Sequence, residues 1–242
     1  MINSHKVQHI FFDLDHTLWD FEKNSGATFK SIFKELNFEF SLEQFLDFYN
    51  PINHYYWKQY RENKISEVEL RYLRLEKTFE AMEVPSTAAL IDRVSELYIQ
   101  QLSTHTELFE GTVSVLEYLS SKYTLHIITN GFEHVQQRKL ENSGIARFFK
   151  IVLTAEKIGF KKPHPTIFLS ALKTAEVLPE HAMMIGDSLE VDIQGALKLG
   201  MQAIHFNSHM EAYHEECLII DLQVLCLTIL NFTLKKNCFL LE

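Results

Sequence analysis

The chain has 242 residues, 46% of them hydrophobic, which excludes a disordered protein and allows one large domain or two small ones with ordinary cores. Thirty-two acidic residues against 23 basic ones give a formal charge of −9, so the molecule as a whole repels phosphate backbones and no nucleic acid polymer is expected as a partner. An anionic substrate would need local cations or a metal. The first element is "HIFFDLDHTLWD", His9 to Asp20, where the apolar run Ile10-Phe11-Phe12 predicts a strand covered on both faces. Asp13 and Asp15 then emerge at its C-terminal end, the edge of an open α/β sheet where ligands bind.

From about Phe21 to Thr104 the pattern is helical. Phe29, Ile32, Phe33 and Leu36, then Leu42, Phe45, Leu46 and Tyr49, recur at helical spacing. Pro51 is expected to interrupt the second helix, Ser66 to precede a third, and Pro85-Ser86 to mark the turn into a fourth. From Glu107 the texture alternates. Helical "TVSVLEYLSSK" leads to "TLHIIT", "EHVQQRKLENSG" to "KIVLT", "TIFLSALKTAEV" to "AMMIGD", and "EVDIQGALKLG" to "MQAIHF". This βα repetition predicts an α/β fold, a doubly wound parallel sheet, with the helical block inserted after its first strand. The expected division is 1–19 and 106–242 for the α/β core and 20–105 for the insertion.

The residues after each predicted strand share one edge of the sheet. Asp13 and Asp15 follow the first strand, Thr129-Asn130-Gly131 the second, Lys162-Pro163 the third after a short segment, and Gly186-Asp187-Ser188 the fourth, with Asp192 one turn on. An Asp pair after a strand is ordinarily a turn or cap, Lys162 alone would be a solvated loop lysine, and Asp187 or Ser188 could cap the helix near Leu189. Together they fit Mg²⁺-assisted phosphoryl transfer. Asp13 and Asp187 offer hard oxygen ligands for the cation. Lys162, Thr129 and the amides of Asn130 and Gly131 could hold phosphoryl oxygens. One carboxylate can attack phosphorus, and the second can protonate the leaving oxygen and then activate water.

"DLDHTL", "TNG", "KKPHPTIF" and "GDSLEVDIQGA" resemble the four ordered motifs of the haloacid dehalogenase-like superfamily, with the helical block in the place of that family's cap domain. The resemblance implies a Rossmann-like core. It further implies Asp13 as nucleophile and Asp15 as general acid/base whose carbonyl also binds Mg²⁺, Thr129 and Lys162 as phosphate holders, Asp187 as metal ligand, and Asp192 with Ser188 as outer partners. Dehalogenases of the superfamily lack an acid at the position of Asp15, so its presence favours a phosphatase: a halide leaves without a proton, an alkoxide does not. "DLDHTLWDFEKNS", "NHYYWKQYRENKIS" and "TNGFEHVQQRKLENSGI" most resemble the bacterial pyrimidine 5′-nucleotidase branch, although His16 and Asn63 stand where relatives often carry Gly. The implied partner is a small phosphorylated metabolite. Sugar-phosphate and N-acylneuraminate phosphatases are the near alternatives. A phosphomutase would instead use cap cations among Lys58, Arg61, Lys64, Arg71 and Arg74 to hold a second phosphate, although surface salt bridges are their ordinary role; a non-catalytic binding protein would normally lose one of the acids.

The aromatic stripe Tyr49, Tyr55, Tyr56, Trp57, Tyr60 reads mainly as cap core, with Trp57 as the candidate substrate contact. His205, His209, His214 and Cys217 match no zinc spacing and read as solvated loop residues. Cys217, Cys226 and Cys238 are odd in number and outside any CxxC, which fits reduced thiols and a cytoplasmic location. The sequon at Asn231 means little without secretion. "MINSHKVQHIFF" lacks a secretory apolar run and the stretch around Val224 to Leu230 is too short to cross a bilayer, so no membrane partner is expected. "LIIDLQVLCLTILNF" is expected to form an edge strand and a packing helix begun at Asp221. The cap is expected to open and close about hinges near Trp19 to Phe21 and Thr104 to Glu110, excluding water during phosphoryl transfer. Oligomeric state is left open.

Overall fold

The computed structural model describes residues 6–210 and 213–221. The chain divides into two compact units, one formed by residues up to Phe21 with those from Glu107 onward, the other by Glu22–Thr106.

The first unit is the α/β unit. Its strands are β1 (His9–Phe12), β2 (Thr124–Thr129), β3 (Phe149–Thr154), β4 (Ala182–Gly186), β5 (Gln202–Asn207) and β6 (Leu218–Asp221), and they form one parallel sheet in the order β3-β2-β1-β4-β5-β6. The parallel sheet expected from the βα alternation is therefore present. Phe12 is in register with Ile127 of β2 and with Ile185 of β4. The chain builds outward from β1 through β2 to β3, then returns to lay β4, β5 and β6 on the other side. That reversal between β1 and β4 is the topological switch at which an open sheet leaves a crevice. Ile10, Phe11 and Phe12 are all buried although successive side chains point to opposite faces, so both faces of β1 are covered. On one face Phe11, Ile128, Leu153 and Met184 share a core with Ile167, Phe168 and Leu172.

Helices α1 (Phe21–Leu36), α2 (Leu42–Arg61), α3 (Glu67–Ala81) and α4 (Ala88–Gln101) make up the helical unit, save that Phe21 belongs to the α/β unit. In the α/β unit α5 (Thr112–Ser120) precedes β2, and α6 (Glu133–Asn142) follows it. The single turn α7 (Ala155–Ile158) follows β3, α8 (Pro165–Ala175) precedes β4, and α9 (Gln194–Leu197) precedes β5. The start of α8 explains how Lys162 is presented: His164 caps it by accepting from the Thr166 amide, and Pro165 stands in the first turn, where its missing N–H costs nothing.

Pro51 does not interrupt α2, which runs unbroken from Leu42 to Arg61. Proline removes one intrahelical bond, but Phe45, Tyr49 and Asn53 bury the same face on either side of it, and this packing outweighs the local preference. Ser66 begins α3 with a capping box shared with Glu69. The core of the helical unit is aromatic: Phe29 meets Phe45, Tyr49 and Tyr98 with ring centroids 4.6–4.8 Å apart. Of the aromatic stripe only Tyr49 is fully buried; Tyr55 is exposed and Tyr56, Trp57 and Tyr60 are half-buried. Arg74 is also buried, its Nη1 donating to Asn53 Oδ1 at 2.9 Å and its guanidinium lying 5.0 Å from the Tyr98 ring centre, which corrects its reading as a surface residue.

β6 is an edge strand, as expected. The helix expected from Asp221, the apolar run around Val224, the sequon at Asn231, Cys226 and Cys238 lie outside the described residues, among which Cys217 is a free thiol. No helix of the described residues is long and apolar enough to cross a membrane.

Candidate active site

The site is assembled where β1 and β4 part, from residues that follow four strands. Asp13 stands directly after β1, and its amide donates to Ile185 O of β4 at 2.9 Å, which fixes it between the two strands. The following loop folds back on Leu14, whose carbonyl accepts from the amides of Leu18 and Trp19, both at 2.9 Å. His16 adopts a left-handed conformation, φ 62°, a region that glycine enters without steric cost.

Lys162 is buried at 2% exposure, not a solvated loop residue. Its Nζ lies 2.6 Å from Asp13 Oδ1, 2.6 Å from Asp192 Oδ1 and 2.8 Å from Ile128 O at the end of β2. Burial alone would lower the lysine's pKa, but Asp13 and Asp192 outweigh it, raise the pKa and hold the ammonium form. Asn130 secures the backbone at the same point. Its Oδ1 accepts from the Lys162 amide at 2.7 Å and its Nδ2 donates to Lys162 O at 3.0 Å.

Carboxylate oxygens of Asp13, Asp187 and Asp192 lie within 4.8 Å of one another, and all three residues are buried. Burial pushes the Asp13 carboxyl well above its ordinary pKa; Lys162 opposes the shift, while Asp192 and Asp187 add to it. Burial likewise raises Asp192, against Lys162 and with Asp187. Burial would also raise Asp187, but His209, His16 and Lys162 together hold it below its ordinary value. Asp187 Oδ1 accepts from Thr17 Oγ1 at 3.3 Å, and its Oδ2 is 3.1 Å from His209 Nε2.

Asp192 does not lie on an exposed helix face. The segment Leu189–Ile193 forms a π-helical turn capped by Ser188, whose hydroxyl accepts from the Val191 amide and whose own amide donates to Asp192 Oδ2 at 3.2 Å. Gly186 makes the approach possible: a Cβ there would fall on the Asp192 carboxylate. Gly131 serves α6 in the same way, since a Cβ would meet the Gln136 side chain.

Thr129, buried at the end of β2, accepts through Oγ1 from Gln136 Nε2 at 2.7 Å and from the Gly131 amide at 3.1 Å, which leaves its O–H to donate. The Gly131 amide, expected to face a phosphoryl oxygen, is engaged here by Thr129 Oγ1, while the Asn130 side chain is bonded to the Lys162 backbone. Asp15 is partly exposed, at 21%, with Oδ1 2.6 Å from Lys139 Nζ and Oδ2 accepting from Gln136 Nε2 at 2.9 Å. Trp57 belongs to α2 of the helical unit, with its ring edge-to-face on Tyr60 at 5.7 Å, so it is not among the residues that the α/β unit brings together.

Gln136, Lys139, Thr17 and His209 also belong to this site, although the sequence reading gives none of them a role in it. The first two lie inside a stretch that reads only as helix, although their i,i+3 spacing beside buried Val135 and Leu140 puts them on its inner face. The histidines read from the sequence as solvated loop residues are not all solvated either. His205 is buried on β5, its Nε2 donating to Asp187 O at 2.7 Å and its Nδ1 lying 2.8 Å from His214 Nε2, so both ring nitrogens are satisfied.

Over residues 10–206 the chain matches the haloacid dehalogenase-like hydrolase family profile. It is 31% identical over 202 residues to pyrimidine 5′-nucleotidase YjjG of Escherichia coli, covering 83% of this chain and 86% of that one. It is 34% identical over 206 residues to a glyceraldehyde 3-phosphate phosphatase of Methanothermobacter thermautotrophicus, covering 83% and 86%. The magnesium-bound crystal structure of HAD-hydrolase YfnB of Bacillus subtilis superposes with a TM-score of 0.80 at 26% identity, covering 89% of this chain and 94% of that one. With a match running from β1 through β5 and the four sequence motifs gathered at one end of the sheet, the chain belongs to the haloacid dehalogenase-like hydrolase family.

Proposed function

We propose that this hydrolase is a Mg²⁺-dependent phosphatase that works through an aspartyl phosphate, with a pyrimidine nucleoside 5′-monophosphate as its substrate. The observation that carries the reading is the pairing of Asp13 with buried Lys162, beside Asp187 and Asp192 and with a second acid, Asp15, two residues on. Three buried carboxylates there share one ammonium, so a divalent cation that prefers hard oxygen ligands fits the donor set and would offset the excess negative charge. Asp13, Asp187 and the carbonyl of Asp15 would hold it, while Asp192 keeps Lys162 in place. The cation, when bound, supplies charge stabilisation to the phosphoryl oxygens.

In the first step the Asp13 carboxylate attacks phosphorus. A bond forms from its oxygen, the bond to the ester oxygen breaks, and Asp15 gives the departing alkoxide a proton. In the second step Asp15 takes a proton from water as that water attacks phosphorus, and the bond to Asp13 breaks, releasing phosphate. Lys162 and the Thr129 hydroxyl hold the phosphoryl oxygens in both steps. The helical unit, which follows β1 in the chain, is the counterpart of the family's cap. Similarity to YjjG supports the nucleotide, and similarity to a glyceraldehyde 3-phosphate phosphatase supports a small sugar phosphate as the second reading. Of the five cations that could serve a mutase, Arg74 is buried on Asn53 while Lys64 and Arg71 pair with Glu62 and Glu67, which weighs against that reading.

Phosphate release from a panel of nucleoside monophosphates and sugar phosphates, with Mg²⁺ or with chelator, tests the proposal. Mg²⁺-dependent release fastest from uridine or thymidine monophosphate is expected. Fastest release from a sugar phosphate would replace the substrate and keep the chemistry, and no release from any member would overturn both.

A further inference from the structure

The two donors on α6 take no direct part in either chemical step, yet both reach the acid proposed to move the proton. Lys139 is only 2% exposed. Its Nζ sits 2.6 Å from Asp15 Oδ1, 4.2 Å from the centre of the Trp19 ring and 5.4 Å from that of Phe21, so two aromatic faces enclose an ammonium directed at a carboxylate. Gln136 is fully buried, and its Nε2 donates both to Asp15 Oδ2 at 2.9 Å and to Thr129 Oγ1 at 2.7 Å. Placing an ammonium and an amide NH2 group in the interior is costly unless each finds an acceptor, and here Asp15 accepts from both, while Gln136 Oε1 has no partner among the described residues. Asp15 itself stands on a loop and is partly exposed, so without these bonds its carboxyl would be free to rotate.

We infer that Lys139 and Gln136 are positioning residues for the Asp15 carboxyl, one for each oxygen, and that Gln136 additionally ties its orientation to that of the Thr129 hydroxyl. The inference rests on the reading of Asp15 as the proton-transfer group. Fixing that carboxyl matters because proton transfer demands hydrogen-bond reach to the leaving oxygen, and a displacement of about 1 Å costs on the order of a hundredfold in rate. The Trp19 and Phe21 rings give the Lys139 ammonium a second favourable surface without competing for its bond to Asp15.

The test is a double-mutant cycle on purified full-length protein with Mg²⁺, comparing an alkyl phosphate, whose leaving group needs a proton, with 4-nitrophenyl phosphate, whose leaving group does not. Lys139→Met is expected to lower kcat/KM, which reports phosphoryl transfer to Asp13, on the order of tenfold to a hundredfold for the alkyl phosphate and much less for the aryl phosphate. In an Asp15→Asn background the same change is expected to add nothing, and Lys139→Arg to restore part of the loss. Gln136→Leu is expected to show the same leaving-group dependence together with a raised KM for both substrates, because it also frees Thr129. If Lys139→Met fails to fold, the Gln136→Leu cycle decides alone. Losses in kcat/KM that are equal for the two substrates, or additive with Asp15→Asn, overturn the positioning role. Should Asp15→Asn itself lower kcat/KM equally for both substrates, the proton-transfer reading fails first, and that single variant separates the two failures.

Discussion

The side-chain amide of Asn130 is paired with the backbone of Lys162 in both directions, accepting from its N–H at 2.7 Å and donating to its carbonyl at 3.0 Å. A residue after β2 therefore fixes a residue between β3 and α8, and through it the ammonium that bridges Asp13 and Asp192. Asn130→Ala removes both bonds at a cost of about 1–3 kcal/mol in stability. Turnover is expected to fall on the order of ten- to a hundredfold, since Lys162 is no longer held in line. Asn130→Asp keeps the acceptor but lacks the donor, and should lie between the two. Denaturant titration and steady-state kinetics on the three proteins check this ordering.

Gly186 ends β4 beneath the Asp192 carboxylate, with no room for a methyl group. Gly186→Ala should displace Asp192 from Lys162, lowering stability by about 1–3 kcal/mol and reducing activity disproportionately. An alanine variant with unchanged turnover would remove Asp192 from its place behind Lys162.

Mg²⁺ should stabilise the protein measurably even without substrate. A ligand that binds only the folded state at about a hundred times its Kd adds about 2.7 kcal/mol, which thermal unfolding resolves. The upward shift is expected for the wild type and lost in Asp187→Asn. Equal shifts in both proteins would place the cation elsewhere.

At the opposite end of β2 from Thr129, His126 is fully buried, its Nε2 2.9 Å from His9 Nδ1 and its own Nδ1 without a partner among the described residues. Burial, with smaller contributions from His9 and Lys150, lowers its pKa from 6.5 to about 4. The folded protein therefore keeps this ring neutral where the unfolded chain already binds a proton, so stability falls as pH drops from 6.5 towards 4. Urea midpoints measured across that window should show the decline, and His126→Leu should flatten it. An unchanged slope in the variant would assign the decline to other groups.

The part of the site legible in the sequence is the part that follows strands. Asp13, Thr129 and Asp187 can be located because a buried parallel strand writes a continuous apolar run, and the next residue must stand at the sheet's edge. Lys162 is legible only through the company it keeps. Gln136 and Lys139 are not, because a polar residue on the inner face of a helix looks like one on the outer face until its partner is known, and Asp15 is more than 120 positions away. The role of Asn130 is hidden for the same reason, since it acts through bonds to a residue that the fold alone brings near, whereas the cap supplied by Ser188 is local and legible. Sheet order and the unbroken α2 across Pro51 are likewise properties of packing and not of local preference.

The most direct measurement is acid quenching during turnover of a phosphomonoester with Mg²⁺, followed by peptide mapping of the enzyme. A single phosphoryl group is expected on the peptide that contains Asp13, labile to hydroxylamine as an acyl phosphate is, and missing in a folded Asp13→Asn protein that releases no phosphate. A phosphoryl group on another residue, or continued phosphate release by Asp13→Asn, would contradict attack by this carboxylate.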